Sequence, residues 1–552
     1  MGLWRQFWFF AILFSMKYTD FDKTVSWTKL QSLVPSGTSP EGFPGKNFDF
    51  AKELTRERIK TCTVPMAGGL SYNWAAKAVT PPVLAALGSL ADEQELIAKY
   101  KLLLNGEIMN TGEKRSVLHH LLRGQCGKKV IHEERDLGEF YRNEMSRFSA
   151  FAEEVREGKI KGSGGKVFKN AVQIGIGGSD LGPRAMYLAL DNWAIKNGKK
   201  KINAYFISNV DPDDPSAIVS SLDCGETIFV LVSKSGTTQE TLANELFVKD
   251  KLLKAGLDPG RHMVAVTSET SPLARNPAYL ESFYIDDFIG GRYSSTSAVG
   301  GVILSLAFGS GVFAEFLSGA HEADKTALND IQKNAALLDA LIGVWERNFL
   351  GYKSTAVLPY SQALSRFPAH LQQLDMESNG KRVNREGTEL NYATGPIVFG
   401  ESGTNGQHSF YQLLHQGTDI IPLQFIGFEE SQLNDDVMVD GSDSQTKLKA
   451  NCAAQIVAFA KGKDHAEKNK FFPGGRPSSL IHGKELNPYA LGSLLAHFEN
   501  KIMFQGFIWN LNSFDQEGVQ LGKILTKQVL SGKSGDEALD AYSALLGIKA
   551  RN

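Results

Sequence analysis

Cysteine is scarce in this sequence, and the patterns that usually bind a metal are missing. Four cysteines occur in 552 residues, none in a C-x-x-C pair, and the eleven histidines show no H-E-x-x-H pattern. Such widely spaced cysteines indicate neither a zinc site nor a disulfide framework. They favour a reducing compartment, so we expect a cytoplasmic protein without a metal.

The sequence also lacks an excess of charge of one sign. It has 59 basic and 61 acidic residues, for a formal net charge of -2. This balance argues against nucleic acid as the main partner, although it is compatible with a local basic pocket for a small anion. Hydrophobic residues make up 42% of the chain and charged residues 22%, as in ordinary globular proteins.

The apolar run near the N-terminus is too short to span a bilayer as a helix. Residues 7–14 read FWFFAILF and follow Arg5, whereas a spanning helix needs about 20 residues. The run is similar to the core of a signal peptide, but no small-x-small cleavage site follows it. We expect translation to start at Met16, with residues 1–15 as an apolar extension, and we expect no membrane partner.

The rest of the chain indicates an α/β protein. Residues 16–165 have mostly helical apolar spacing. Short apolar runs then alternate with amphipathic segments in 166–310, and a second alternation occupies 311–515. Unbroken apolar strands between helices predict parallel sheets with helices on both faces. The predicted strands are 171–176, 203–208, 227–233, 263–268 and 282–286, then 354–360, 396–400 and 421–428.

The predicted helices complete this division of the chain. They lie at 181–196, 212–222 and 237–255 in the first unit, and at 361–374, 406–416, 444–461 and 488–511 in the second. Residues 516–552 form a C-terminal helical arm. Because ligands of parallel sheets bind beyond the carboxyl ends of the strands, the segments after each strand are the candidate sites.

Two of these segments suit a phosphorylated ligand. GIGGSDLGP (175–183) fails the G-x-G-x-x-G spacing at Asp180, but its glycines allow backbone to approach a ligand. Taken alone, this segment favours the alternative, a plain strand-to-helix turn. SKSGTTQET (233–241) precedes a helix, and Thr237 with Glu240 predicts a capping box. Its further hydroxyls favour phosphate over a merely capped helix.

Two other segments offer an arginine and a carboxylate. GGRYSSTSAVGG (290–301) contains Arg292, which can stabilise negative charge developing on oxygen or form a structural ion pair. DMESNGK (375–381) follows a predicted helix, and its Glu377 lies beside apolar residues. That setting is compatible with a general base, and a solvated glutamate is the simpler alternative.

The last two segments are weaker signals by themselves. In ESGTNGQHSFYQLLHQ (401–416), His408 is predicted in the first turn of a helix. In NSFDQEGVQLGK (512–523), Gln516 and Lys523 are seven residues apart, two turns along one face if the segment is helical. A structural histidine and an ordinary surface helix would give the same patterns.

Taken together, these motifs resemble the phosphoglucose isomerase family, in the family's order, from about Asn110 to Lys527. The resemblance implies two sugar-isomerase (SIS) subdomains, each a parallel five-stranded sheet between helices. It also implies a homodimer in which each active site takes one histidine from the partner chain. Ser235-Gly236, Glu517 and Gln520 depart from the residues usual in the family.

The resemblance also assigns roles to residues. Glu377 matches the catalytic base, and His408 matches the ring-opening histidine donated across the dimer. Lys523 matches the lysine at the ring oxygen, and Arg292 matches the arginine beside the enediolate. Further residues match contacts to the substrate and its phosphate: Gly178, Ser179, Ser233, Lys234 (through its backbone), Ser235, Thr238 and Gln516.

The implied activity is the reversible isomerisation of glucose 6-phosphate and fructose 6-phosphate. Ring opening is followed by transfer of a proton between C2 and C1 through a cis-enediol, for which one carboxylate on one face suffices. This chemistry requires no metal or redox cofactor. A sugar-phosphate-binding SIS protein without catalysis, and an isomerase that also accepts mannose 6-phosphate, are the alternatives.

Overall fold

Two β-sheets, each packed between helices, form the frame of the protein. The computed structural model describes residues 18–34, 48–532 and 534–548, so the expected extension 1–15 and start at Met16 lie outside the described residues. The strands are β1 (Thr63–Pro65), β2 (Ser71–Asn73), β3 (Ile108–Asn110), β4 (Arg115–Ser116), β5 (Ile131–His132), β6 (Arg135–Asp136), β7 (Asn170–Ile174), β8 (Asn203–Ile207), β9 (Thr227–Val232), β10 (Met263–Thr267), β11 (Glu281–Tyr284), β12 (Ser354–Tyr360), β13 (Ile397–Gly400), β14 (Leu423–Phe428) and β15 (Ser478–Gly483).

The helices cover both faces of these sheets. They are α1 (Val25–Ser32), α2 (Phe50–Glu53), α3 (Arg56–Thr61), α4 (Pro81–Glu93), α5 (Leu96–Leu104), α6 (Leu137–Arg156), α7 (Leu181–Lys196), α8 (Asp213–Ser220), α9 (Gln239–Lys254), α10 (Ala298–Phe308), α11 (Ser310–Thr326), α12 (Ala335–Val344), α13 (Phe367–Asn379), α14 (Gly403–Gln407), α15 (Tyr411–Gln416), α16 (Ser444–Lys461), α17 (Pro488–Ile508), α18 (Gln520–Ser531) and α19 (Glu537–Leu545). In the parts of the chain given above, no helix is long and apolar enough to cross a membrane.

The first sheet confirms the expected parallel arrangement. Its strands lie in the order β11-β10-β9-β7-β8, and all neighbouring pairs are parallel. The central strand β9, TIFVLV, is buried at every residue. Because helices cover both faces of such a sheet, its central strands are mostly apolar on both faces instead of alternating, which is why the pattern predicted them.

The second sheet differs from the expected five parallel strands. Its order is β1-β2-β15-β14-β12-β13, with β12 to β15 parallel and β1 and β2 antiparallel. The hairpin comes from residues 63–73, in the region expected to be helical. A short connection allows only antiparallel pairing, since a parallel crossover needs a dozen or more residues. Gly68 and Gly69, with φ of 71° and 69°, make the tight turn.

Two tightly packed helices bring the C-terminal loop towards the first sheet. Helix α17 is buried along almost its whole length and lies against α11. A Cβ atom on Gly319 of α11 would lie 1.9 Å from the carbonyl oxygen of Tyr489, and one on Gly492 of α17 would lie 1.9 Å from that of Phe316. The backbones meet so closely that only glycine fits. Residues 512–516, which follow α17, are thereby held beside the turn at residues 291–296.

Candidate active site

Arg292 is the buried centre of the candidate site. It lies in the 3₁₀ turn Gly291–Thr296, and its side chain is only 1% exposed. Nη1 donates to Oε1 of Glu377 at 2.6 Å and to Oε1 of Gln516 at 3.2 Å. The Glu377 side chain is 25% exposed. A fixed guanidinium therefore faces a carboxylate that a ligand can reach from solution.

The remaining donors of Arg292 point into the protein. Nη2 donates to the carbonyl oxygens of Ser513 at 2.8 Å and Asp515 at 2.9 Å. Nε donates to Oγ of Ser378 at 2.8 Å. With the two bonds of Nη1, all five N–H groups of the guanidinium are used. The cation is therefore satisfied and held in one orientation before any ligand binds.

Glu377 lies in the last turn of α13, not after it as the sequence pattern suggested. The helix spans Phe367–Asn379 instead of the predicted 361–374, because Pro368 suits its first turn and Gly380 follows its end. The second carboxylate oxygen, Oε2, accepts from Nε2 of Gln373 at 2.9 Å. Gln373 is not among the residues predicted from the sequence. Its spacing of four residues from Glu377, on one face of a helix, was the available signal.

The glycine turn after β7 packs against the turn that carries Arg292. A Cβ atom on Gly178 would lie 2.2 Å from the carbonyl carbon of Gly291, so no other residue fits there. Gly177 has a φ of 60°, and a Cβ on it would lie 3.3 Å from Nε2 of Gln373. Gly178 and Ser179 are half-buried. The structure thus brings this turn beside Arg292 and leaves it accessible.

The hydroxyl-rich turn after β9 is folded by its own side chains. Oγ of Ser233 accepts from the backbone N–H of Gly236 at 3.1 Å and donates to Oγ1 of Thr238 at 3.2 Å. Ser233 is buried, Thr238 is half-buried and Ser235 is exposed. Gly236 has a φ of 66°, and a Cβ on it would lie 2.1 Å from Oγ of Ser271. The left-handed conformation and this close approach explain the glycine.

The predicted capping box at the start of α9 is wrong. The N-cap is Thr238, and within the described residues its side chain caps no N–H group of the first turn. The hydroxyl of Thr237 instead donates to Oγ of Ser235 at 3.0 Å. This local contact between two hydroxyl groups replaces the predicted cap, as serine and threonine side chains commonly allow. The N-terminus of α9 is thus without a side-chain cap, the condition under which it can accept an anion.

Lys234 joins the hydroxyl-rich turn to the arginine turn. Nζ donates to the carbonyl oxygen of Ile289 at 3.1 Å and lies 4.0 Å from Oδ1 of Asp287. Burial lowers the pKa of Lys234, opposed by the charge of Asp287. Ile289 directly precedes the Gly290-Gly291-Arg292 segment. The side chain of Lys234 therefore has a structural contact, and its backbone lies in the candidate phosphate turn.

His408 and Lys523 lie outside the Arg292 cluster in this single chain. His408 directly follows α14 instead of lying in the first turn of a helix, and it is exposed. Lys523 lies in α18, where every residue is exposed or half-buried. Within the described residues, the cluster joins Glu377, Arg292 and Gln516 but neither of these two. In the same residues, no group of three His, Cys, Asp or Glu side chains is placed to hold a metal.

The fold and the site define an α/β protein with turns suited to a small anion beside a carboxylate–guanidinium pair. The chain matches the family model described as phosphoglucose isomerase over residues 73–545. It is 61% identical over 532 residues to the glucose-6-phosphate isomerase of Treponema denticola, covering 96% of this chain and 100% of that protein.

More distant relatives agree with this match. The chain is 58% identical to the glucose-6-phosphate isomerase of Treponema pallidum, over 97% of this chain and 99% of that one. The crystal structure of a glucose-6-phosphate isomerase from Chlamydia trachomatis superposes with a TM-score of 0.87 at 42% identity, covering 96% of this chain and 100% of that chain. The chain belongs to the phosphoglucose isomerase family.

Proposed function

We propose that this chain is an aldose–ketose isomerase that interconverts glucose 6-phosphate and fructose 6-phosphate in glycolysis and gluconeogenesis. The observation that carries the proposal is the pair of Arg292 and Glu377. A buried guanidinium holds one oxygen of a carboxylate that is itself 25% exposed. This is the arrangement that proton transfer at a carbon beside a carbonyl requires: a base within reach of the substrate, next to a fixed positive charge.

In the proposed reaction, Glu377 carries one proton between two neighbouring carbons. It removes the proton from C2 of the open-chain aldose, which leaves a cis-enediolate with its negative charge on O1. The hydroxyl proton of O2 then passes to O1, and Glu377 returns its proton to C1 to give the ketose. The reverse reaction uses the same carboxylate. Negative charge that grows on oxygen in the enediolate is stabilised by Arg292 and costs no reorganisation, because all five guanidinium donors are already oriented.

The substrate phosphate is assigned to the hydroxyl-rich turn and the uncapped start of α9. Ser233, Ser235 and Thr238 supply hydroxyls there, and Lys234 supplies its backbone. Gly178, Ser179 and Gln516 contact the sugar, since Gly178 and Gln516 both lie against Arg292. A phosphate bound in this turn, away from the reacting carbons, fixes the orientation of those carbons without taking part in the chemistry.

His408 and Lys523 are assigned to ring opening, in a site shared between two chains. His408 is exposed on its own chain, which supports its donation to the partner's site in a homodimer. Lys523 would act at the ring oxygen, with Gln520 as its neighbour on α18. We place the protein in the cytoplasm, with a sugar phosphate and a second copy of this chain as its partners and with no nucleic acid.

We also propose that the domains have the boundaries expected from the sequence. The first SIS subdomain, 166–310, contains β7 to β11, and the second, 311–515, contains β12 to β15. The N-terminal region 16–165 adds the hairpin of β1 and β2 to the second sheet. The arm 516–552 contains α18 and α19, both without a buried residue in the described part of the chain.

A coupled assay with fructose 6-phosphate tests the assigned base. Glu377→Gln keeps the size of the side chain and an oxygen that can accept from Nη1 of Arg292, but it removes the basicity, so we expect activity to fall by several orders of magnitude while substrate binding persists. Glu389→Gln is the matched control, because Glu389 is an exposed glutamate paired with Arg382 on the surface. Full activity in Glu377→Gln would refute the base, and an inactive wild-type protein would support a non-catalytic sugar-phosphate binder.

Mixed dimers test whether the site is shared. Each dimer of a Glu377→Gln chain and a His408→Ala chain has one site with both residues intact, although each parent is inactive. Because half of randomly re-associated dimers are mixed, about a quarter of the sites should regain activity. No recovery in a sample with demonstrated mixed dimers would overturn the sharing.

A further inference from the structure

The orientation of Arg292 depends on a hydroxyl that lies behind the site. Two carbonyl oxygens hold Nη2, and Oγ of Ser378 accepts from Nε at 2.8 Å. When both Nε and Nη2 of a planar guanidinium are hydrogen-bonded, the orientation of the whole group is fixed. Nη1 is then directed at the carboxylate of Glu377.

Ser378 is itself held by a second buried hydroxyl. Oγ of Ser378 shares a hydrogen bond with the hydroxyl of Tyr293 at 3.1 Å. Ser378 is 0% exposed and Tyr293 is 1% exposed, so neither can touch a substrate. The Tyr293 ring is stacked on His119, with centroids 4.6 Å apart and planes at 25°, and it also contacts Phe514. The two hydroxyls therefore form a rigid connection from the interior to Arg292.

We propose that Ser378 and Tyr293 are positioning residues, whose paired hydroxyls align the Arg292 guanidinium with Glu377 for the reaction. The inference rests on the proposed function, because it assigns to these residues an effect on the step performed by Glu377. Ser378 directly follows Glu377 in the last turn of α13. Two adjacent residues thus supply the base, Glu377, and the hydrogen-bond acceptor, Ser378, that sets the position of the Arg292 guanidinium.

The loss of one hydroxyl has a defined consequence for the chemistry. In Ser378→Ala, the N–H of Nε is left buried without its acceptor, and the guanidinium can shift away from Oε1 of Glu377. A misplacement of about 1 Å at a reacting group costs about a hundredfold in rate. The phosphate turn at 233–238 is a separate segment, so substrate binding is unaffected. We therefore expect kcat to fall ten- to a hundredfold with KM changed less than twofold.

Tyr293→Phe removes only the outer hydroxyl of the pair. Oγ of Ser378 can still accept from Nε of Arg292, so we expect a smaller fall in kcat, about threefold to tenfold. The two hydroxyls act as one chain, so the double variant should be no slower than Ser378→Ala alone. Ser378→Thr keeps the hydroxyl and should retain most of the activity.

The test compares these variants with Ser305→Ala in the same assay. Ser305 is a fully buried serine of α10 whose hydroxyl has no partner within the described residues, so its loss measures the cost of removing any buried hydroxyl. The informative readouts are kcat, KM and the isotope effect with glucose 6-phosphate deuterated at C2. We expect the isotope effect to rise in Ser378→Ala, because proton transfer becomes more rate-limiting.

Each outcome decides the proposal. A kcat of Ser378→Ala equal to that of Ser305→Ala, or an unchanged isotope effect, would overturn it. If Ser378→Ala does not fold, Tyr293→Phe decides alone, and an unchanged kcat there would overturn the role of the pair. An inactive wild-type protein would instead refute the proposed function, so the two failures are distinguishable.

Discussion

Asp375 is a buried carboxyl two residues before Glu377, and its replacement by asparagine should stabilise the protein at neutral pH. The residue is 7% exposed, and its Oδ1 has no hydrogen-bond partner within the described residues. It lines a small cavity together with Lys501, Asp339 and Glu346. Burial raises the pKa of Asp375 from 3.8 to about 7, and the charge of Lys501 opposes this rise only in part.

The sign of the effect follows from the pH at which Asp375 takes up its proton in the native state and in the unfolded state. Between the two pKa values, the native state keeps the proton of Asp375 and the unfolded chain has lost it, so stability falls as pH rises. The loss is complete once the pH exceeds about 7. At about 1.4 kcal/mol for each tenfold change in ionisation, the full cost is about 4 kcal/mol, of which about 2 kcal/mol develops between pH 5 and pH 7.

Asp375→Asn has the same shape and no charge, so it avoids this cost. Urea unfolding of both proteins at pH 5, 6, 7 and 8, at one protein concentration, gives the difference in free energy of unfolding. The advantage of the variant should grow by about 2 kcal/mol from pH 5 to pH 7 and level off by about pH 8. Two results would contradict this reasoning: a difference in free energy of unfolding that does not change with pH, or a variant that becomes less stable relative to the wild type as the pH rises. Either would show that Asp375 is ionised and paired with Lys501.

Two further variants test the geometry of the site. Arg292→Lys offers three donors where five are used, so kcat should fall about 10²- to 10³-fold while substrate binding is retained, as measured with fructose 6-phosphate and by calorimetry; an unchanged kcat would contradict the role of the guanidinium. Gly178→Ala forces a Cβ atom to 2.2 Å from the carbonyl carbon of Gly291, so it should lose activity and about 1–3 kcal/mol of stability, whereas Gly311→Ala, in open space on α11, should be neutral. Equal melting temperatures for the two glycine variants would contradict the close packing.

The strands that could be predicted from the sequence are those buried on both faces. In β9 and β10, nearly continuous apolar runs that are buried at every residue leave little doubt about the element. The hairpin of β1 and β2 has only three residues in each strand and includes Pro65, so its pattern is too short to be recognised. It forms because β15 offers a sheet edge, and that edge comes from residues 478–483, far along the chain. Such a partner is invisible to local periodicity.

The sequence predicted part of the cluster around Arg292, but not its contacts. Motif order identified Glu377, Arg292 and Gln516, and these three do meet in the structure. Local rules placed Glu377 after its helix and assigned a cap to Thr237, and both predictions were wrong, because tertiary partners decide where a helix ends and what a hydroxyl binds. For His408 and Lys523, the sequence predicts roles that a single chain does not display, so their test is the mixed dimer.

The helical phase at the end of α13 explains why three neighbouring residues have such different environments. Successive side chains on a helix are about 100° apart, so Asp375 points about 200° away from Glu377 and Ser378 about 100°. Asp375 thus faces the interior cavity, Ser378 faces the inner side of Arg292, and Glu377 is left at the edge of the protein. Because the helix stops at Gly380, no further turn covers Glu377. A carboxylate that is both reachable and held by a buried cation is therefore a consequence of where this helix ends, together with the neighbouring Ser378 that holds the cation.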